Sequence, residues 1–161
     1  MIGLFAKVRP VEDGDDVRLA RMFDRLSRET VHRRFFTLMP KLEGSLLRRL
    51  TDVDHDRHEA LVVQVGDEIV AMASYHRRRD DPTVADVAIL VEDEWQHTGL
   101  GARLSRQLSR LARARGVERF HADVLADNRP AIGLVHRLSD VERGRFEAGE
   151  LAYDLPLRRT A

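Results

Sequence analysis

The feature that most restricts this chain is residues 83–125 read as one unit. An apolar string, TVADVAILV, runs through an acidic turn to the pair Gly99 and Gly101, then a helical run, then a second string, ERFHADVL. Leu100, Leu104, Leu108 and Leu111 lie four, four and three apart with arginines between them, and Gly116 is placed to end that amphipathic helix. Two strands joined through such a helix must lie parallel, with the helix packed on their sheet. The first strand is apolar enough to be expected buried on both faces. A strand-to-helix turn needs only one glycine, so the second asks for a reason. The first turn of a helix has N–H groups without internal partners, and the helix dipole favours an anion there. Glycines clear side chains from where a phosphate or a ligand would approach. A dinucleotide fingerprint would need a third glycine where Leu104 stands, and a phosphate-binding P-loop would need Lys-Ser/Thr where Ala102 and Arg103 stand. What survives is Gln96-x-x-Gly99-x-Gly101-Ala102.

The rest of the chain fits around this unit. Residues 3–9 read as a short strand closed by Pro10. DGDDVRLARMFDRLS reads as a helix, with Asp13 to Asp16 at its start and Val17, Ala20, Met22, Phe23 and Leu26 as its stripe. RETVHRRFF is expected to run irregularly to Pro40, and KLEGSLLRRL to form a second helical stripe through Leu42, Leu46, Leu47 and Leu50. ALVVQV and EIVAMASYH form a hairpin about Gly66-Asp67, and HRRRDD is a solvated turn. DNRPAIGLVHRL starts another helix, capped by Asp127 or Asn128 with Pro130 in its first turn. GRFEAGELAYDLPL forms either a terminal hairpin or one long bent strand. The whole predicts one mixed α/β domain over residues 1–161.

Composition narrows the function. The 161 residues, 43% of them apolar, suffice for one core. With no cysteine, disulfides, thiolate nucleophiles and zinc–cysteine sites are excluded. No apolar run nears the roughly 18 residues of a membrane span, and MIGLFAKVRP does not read as a signal peptide, so a cytoplasmic protein without a membrane partner is expected. Lysine and arginine total 27 against 27 acids, a balance that argues against a nucleic-acid-coating role. His55 and His58 sit among Asp52, Asp54, Asp56 and Glu59, but the spacing fits no standard zinc or calcium loop, so no metal is expected.

Gln96-x-x-Gly99-x-Gly101 after an apolar strand resembles the coenzyme A pyrophosphate loop of the GNAT superfamily of N-acetyltransferases. LVEDEWQHTGLGARL resembles that family's strand–loop–helix along its length, including Trp95 before Gln96. ADNRPAIGLVHRL resembles its next strand-to-helix joint, where an asparagine, here Asn128, stands at the coenzyme edge. The element order also matches, so the likeness covers nearly the whole chain. SRETVHRRFF and TDVDHDRHEALVV resemble a subgroup containing bacterial protein-lysine acetyltransferases. Those domains can be joined to acyl-CoA synthetase-like or cyclic-nucleotide-binding modules, neither of which is found in these residues.

The resemblance implies a central, mostly antiparallel sheet with a splayed parallel strand pair and flanking helices. It implies acetyl-CoA as cosubstrate. Leu90 and Val91 would supply backbone groups to pantetheine, one N–H facing the thioester oxygen where charge develops. The amides of Gln96, His97, Thr98, Gly99, Leu100, Gly101 and Ala102 would hold the pyrophosphate, and Asn128 would touch the coenzyme as well as cap its helix. Asp86 stands where such protein acetyltransferases carry a glutamate. It is the implied general base, acting through a water because aspartate is a methylene shorter, on an amine whose ordinary pKa is about 10.4. Many members place a thiolate-protonating tyrosine seven residues after the asparagine, where this chain has Val135, and SDV replaces the usual Gly-Phe helix ending. Tyr153 is the only late tyrosine, with nothing in the sequence to assign it.

The implied reaction is transfer of an acetyl or short acyl group to a primary amine, with a protein lysine as first acceptor and a small amine as alternative. A coenzyme A-binding regulator that has lost catalysis, and a nucleotide-binding module using the same loop, are the rival readings. A homodimer is an assembly open to such a domain.

Overall fold

The computed structural model describes residues 5–36, 43–138 and 144–157. One sheet carries the strands β1 (Ala6–Pro10), β2 (His58–Val65), β3 (Glu68–Arg77), β4 (Val84–Val91), β5 (Arg119–Leu125), β6 (Arg145–Glu147) and β7 (Glu150–Pro156), in the order β1-β2-β3-β4-β5-β7-β6. Every neighbouring pair is antiparallel except β4 and β5, which are parallel, as the helical crossover requires.

Side-chain alternation sorts the core into two layers. Leu61, Val63, Ala71, Ala73 and Ala85 meet helix α4 (Leu100–Ala114) on one face through Leu100, Leu104, Leu108 and Ala112. Ala60, Val62, Met72 and Leu90 meet α1 (Asp15–Asp24), α2 (Arg28–Phe35) and α3 (Gly44–Thr51) on the other, through Leu19, Met22, Phe23, Val31 and Leu50. Covered on both sides, β3 is buried from Ile69 to Tyr75. Helix α5 (Arg129–Leu138) sets Val135 against Ala122, Val124 and Tyr153.

Three expectations change. Residues 28–35 are not irregular but a helix, because Ser27 caps it, its side chain accepting from Thr30 N. Val17, expected on the apolar stripe of α1, is 55% exposed. The inner turn there holds Asp15 instead, fully buried in a bidentate pair with Arg9 at 2.7 and 2.8 Å. Strand β4 is not buried on both faces: Asp86 is exposed, and Val87, Ala88 and Ile89 are only partly covered. The terminal segment is a hairpin, with Ala148 (φ 51°) and Gly149 (φ 82°) making the left-handed turn. Leu42 and the SDV segment lie outside the described residues.

The cause of β4's partial exposure positions the site. β4 and β5 pair only at Val84↔Arg119, Ala85↔Phe120 and Asp86↔His121. Beyond that row β4 stays on β3 as far as Val91↔Ala71, while β5 stays on β7 as far as Leu125↔Glu150. From Val87 onward the sheet is parted. The end of β4 is held to the β3 side by Glu92, whose N–H donates to Val70 O and whose buried carboxylate accepts from Arg25 Nε at 2.9 Å.

Candidate active site in the parted sheet

The gap between β4 and β5 opens into two adjoining cavities. One, of about 300 Å³, lies between the end of β4, the loop at 95–99, the start of α4 and α5. The other, of about 150 Å³, lies deeper, against β5, the lower part of β4 and the inner faces of α4 and α5. Arg33, Arg34, Ile89, Asn128, Ala131 and Leu134 line both, which makes them one cleft.

The strand edge facing this cleft follows from alternation. Val84 O accepts from Arg78 N and Glu92 N donates to Val70 O, so the even-numbered residues of β4 turn their peptide groups to β3. Thr83 O accepts from Glu118 N at 2.7 Å, so the odd-numbered ones turn theirs to β5. Past the last paired row, Val87, Ile89 and Val91 therefore present peptide groups to the gap. Leu90 lines the outer cavity, but its peptide groups turn to the β3 side and its side chain is buried under the helices. Ile89 takes its place beside Val91, and Val91 O is already used, accepting from Gln96 Nε2 at 3.0 Å.

The loop divides its labour in a way the sequence hid. A 3-10 turn at Asp93–Trp95 takes up two amides: Trp95 N donates to Glu92 O and Gln96 N to Asp93 O at 3.2 Å. Gln96 thus lines the outer cavity as a brace, with its own N–H already given to Asp93. Its side chain ties β4's last carbonyl to Thr30 Oγ1 of α2, 3.2 Å away. Thr98 turns its hydroxyl back to Trp95 O, and the Leu100 side chain is in the core, so neither side chain lines the cleft. His97 and Gly99 both take left-handed backbone, φ 62° and 89°. At Gly99 that conformation calls for glycine. The first helical bond of α4 runs from Arg103 N to Gly99 O, which leaves the amides of Leu100, Gly101 and Ala102 without carbonyls inside the helix. Gly101 has a different reason to be glycine. A Cβ there would stand 3.6 Å from both Ile89 Cδ1 and Leu134 Cδ2, so any longer side chain would enter the cleft. Free helix amides, an unpaired strand edge and a floor kept bare by glycine fit an extended ligand with a phosphate end. Asn128 serves twice, its Oδ1 accepting from Ala131 N while the residue lines both cavities.

Asp86 sits in the last paired row. Its side chain is 54% exposed and takes Arg78 Nη2 at 3.0 Å, so the burial expected from its apolar run is absent, and it does not line the cleft. The acidic residue that does line it is Asp123, on β5 just past the parting, a residue the sequence gave no cause to single out. Asp123 lies 3.0 Å from His121 Nε2, and His121 Nδ1 lies 3.1 Å from Asp154, whose carboxyl the histidine holds below the usual range. His121, expected to be merely packed, therefore bridges two acids. Val135 is buried and lines the deeper cavity with no proton to give. Tyr153 is also buried and stands outside the lining, edge-on to His136. His55 pairs with Glu59, and the His58 ring lies 3.0 Å from Asp52 O. Among the described residues no cluster of three such side chains could hold a metal.

Helix α2 closes the cleft on a further side. Asp93 fixes its start, accepting from Ser27 N, Ser27 Oγ and Thr30 Oγ1 at 2.7–3.0 Å. Its second turn then carries Arg33 and Arg34 over the cleft. Reading this segment as irregular is what concealed both arginines; the Ser27-x-x-Thr30 cap was the available signal.

Residues 19–139 match the Acetyltransferase (GNAT) family. The chain is 35% identical over 136 residues to Acetyltransferase Pat of Mycolicibacterium smegmatis, covering 83% of this chain and 40% of that protein. It superposes on the GNAT domain of PAT from S. lividans with a TM-score of 0.86 at 29% identity, over 94% of this chain and 90% of that one. A cAMP-binding acyltransferase from Mycobacterium smegmatis superposes with a TM-score of 0.67 at 28% identity, over 98% of this chain but 45% of its own. The chain thus spans less than half of the mycobacterial proteins that it matches.

Proposed function

From this chain, which belongs to the GNAT family of acetyltransferases, we propose an enzyme that transfers an acetyl or short acyl group from acetyl-CoA to a primary amine, a protein lysine first. The observation that carries the reading is the parted β4–β5 pair ending beside the free amides of α4. Acetyl-CoA supplies a thioester whose carbon–sulfur bond breaks as the amine nitrogen bonds the acyl carbon. Leu100, Gly101 and Ala102 hold the diphosphate through their N–H groups. Ile89 and Val91 align pantetheine, and an N–H of this edge faces the thioester oxygen. Asp86 takes the amine proton through a water, since it stands one row short of the cleft. A second reading gives that task to Asp123, because Asp123 lines the cavity. With Val135 in place of a proton donor, the thiolate leaves on its own acidity, its pKa being about 8.5. The lysine acceptor is supported by the resemblance of the segments at 27–36 and 51–63 to protein-lysine acetyltransferases. A small amine is the alternative.

Thiol release from acetyl-CoA, with pooled amines and with a protein acceptor, tests the activity. Coenzyme binding without release for every acceptor would favour the regulatory reading. Asp86→Asn and Asp123→Asn separate the two bases. The true one loses about a hundredfold or more in kcat/KM together with the rising limb of its pH profile; the other keeps both.

A further inference from the structure

Arg34 is a charged group in the cleft that the proposed reaction does not use. It lines both cavities and has no carboxylate partner among the described residues. Its recorded company is the ring of its neighbour Phe35, 4.7 Å from the guanidinium carbon. The other charged residues that line the deeper cavity, Arg33 and Asp123, are engaged. Arg33 pairs with Glu29 at 2.7 Å, Asp86 with Arg78, and Asp123 with His121. Arg137, which also has no carboxylate partner among the described residues, lines the outer cavity and not the deeper one. Desolvation, the largest cause, pushes His76 down to about 4, with His58, Arg49 and Arg34 adding to it and Asp86 opposing. Burial likewise pushes Arg34 down to about 10. A half-buried cation left without a counter-charge costs free energy, which a bound anion would recover.

The coenzyme's own phosphates are the first anion to consider, since Arg34 lines the outer cavity together with Gly101 and Ala102. Arg34 also lines the deeper cavity, with Val87, Ala88 and Asp123 near the joined end of the strands, and neither Gly101 nor Ala102 lines that one. An anion held in the deeper cavity is therefore one that the start of α4 does not hold.

We propose that Arg34 recognises a carboxylate carried by one of the two reacting partners, either at the far end of the acyl chain or on the amine acceptor. The inference rests on the acyl-transfer reading above and deepens it by naming a substrate class. Arginine suits the task because its planar fork can meet a carboxylate with two parallel hydrogen bonds.

Matched substrates test it. Succinyl-CoA and butyryl-CoA differ in one terminal carboxylate; Nα-acetyl-lysine and its amide differ in another. Thiol release is measured for each pairing, and the binding of both acyl-CoAs and of CoASH by calorimetry, on wild type, Arg34→Gln and Arg34→Lys. The expected result is a preference of about tenfold to a hundredfold for the acid-bearing member of one pair. Arg34→Gln should abolish that preference and Arg34→Lys restore it in part. A preference in the first pair assigns the carboxylate to the acyl group, and in the second to the acceptor. No preference in either pair overturns the proposal, and so does a variant that weakens CoASH itself by the same factor, since that makes the anion a coenzyme phosphate. Absence of thiol release from every pairing, with succinyl-CoA still bound more tightly through Arg34, would refute the transferase reading and leave this one standing. The wild-type preference is readable even if a variant fails to fold, and thermal melting identifies that case.

Discussion

At Gly101 the want of a side chain keeps the floor of the cleft open. The methyl of an alanine would meet Ile89 and Leu134 at ordinary contact distance, but a leucine would have to extend into the volume proposed for pantetheine. Gly101→Leu is therefore expected to weaken CoASH by more than tenfold in calorimetry while moving the urea midpoint little, because the added atoms enter a void and not the packed core. A variant that binds CoASH as wild type does would remove the cleft from the account. Gly99 acts differently, through its φ of 89°, where a side chain costs about 1–2 kcal/mol whatever the space around it. The two glycines that looked like one motif in the sequence thus answer two separate demands, one of backbone and one of volume.

Between elements, polar side chains do the joining. Asp93 and Gln96 fasten the loop to Ser27 and Thr30 at the start of α2, so the element that carries Arg34 is referenced to the one that carries the free amides. On the same face of the sheet, β2 and β3 are joined by a stack of His58 on His76, ring centroids 3.7 Å apart. Burial holds the His58 imidazole below its ordinary value of 6.5, and its Nε2 is buried without a partner. The folded state therefore favours the neutral rings. Their contribution to stability is complete above pH 6.5 and declines as the pH falls from there toward about 4, the value for His76. The urea midpoint should drop across that window. His58→Gln should flatten the drop, and an unchanged pH dependence in that variant would show that the stack is not its source. Glu59 and Asp154, held below their ordinary values of 4.5 and 3.8, add their own loss as the pH falls below those values, so Glu59 contributes only at the acid end of this window.

Across the whole molecule, periodicity made the crossover, the β2–β3 hairpin and the α4 stripe legible, since each buries one regular face. Patterns that depend on partners were not legible. Helix α2 has few apolar positions and stands on its cap and on Asp93, so it read as irregular chain and hid Arg33 and Arg34. The exposure of Asp86 follows from where β5 leaves β4, which no apolar run encodes; the parting itself came only through family resemblance. The exchange of Leu90 for Ile89 is a matter of parity, set by which strand claims the even-numbered peptides. Asp123 became visible only as the residue just past the divergence on the opposite strand. All of these meet in the claim that an unpaired strand edge and a helix start together hold the coenzyme. Residue-resolved amide hydrogen exchange, with and without saturating CoASH, tests that claim most directly. The account predicts slowed exchange at Ile89, Val91, Leu100, Gly101 and Ala102, with Leu90 slow in both states because β3 already holds it. Unchanged exchange at those five amides under saturating CoASH would contradict it.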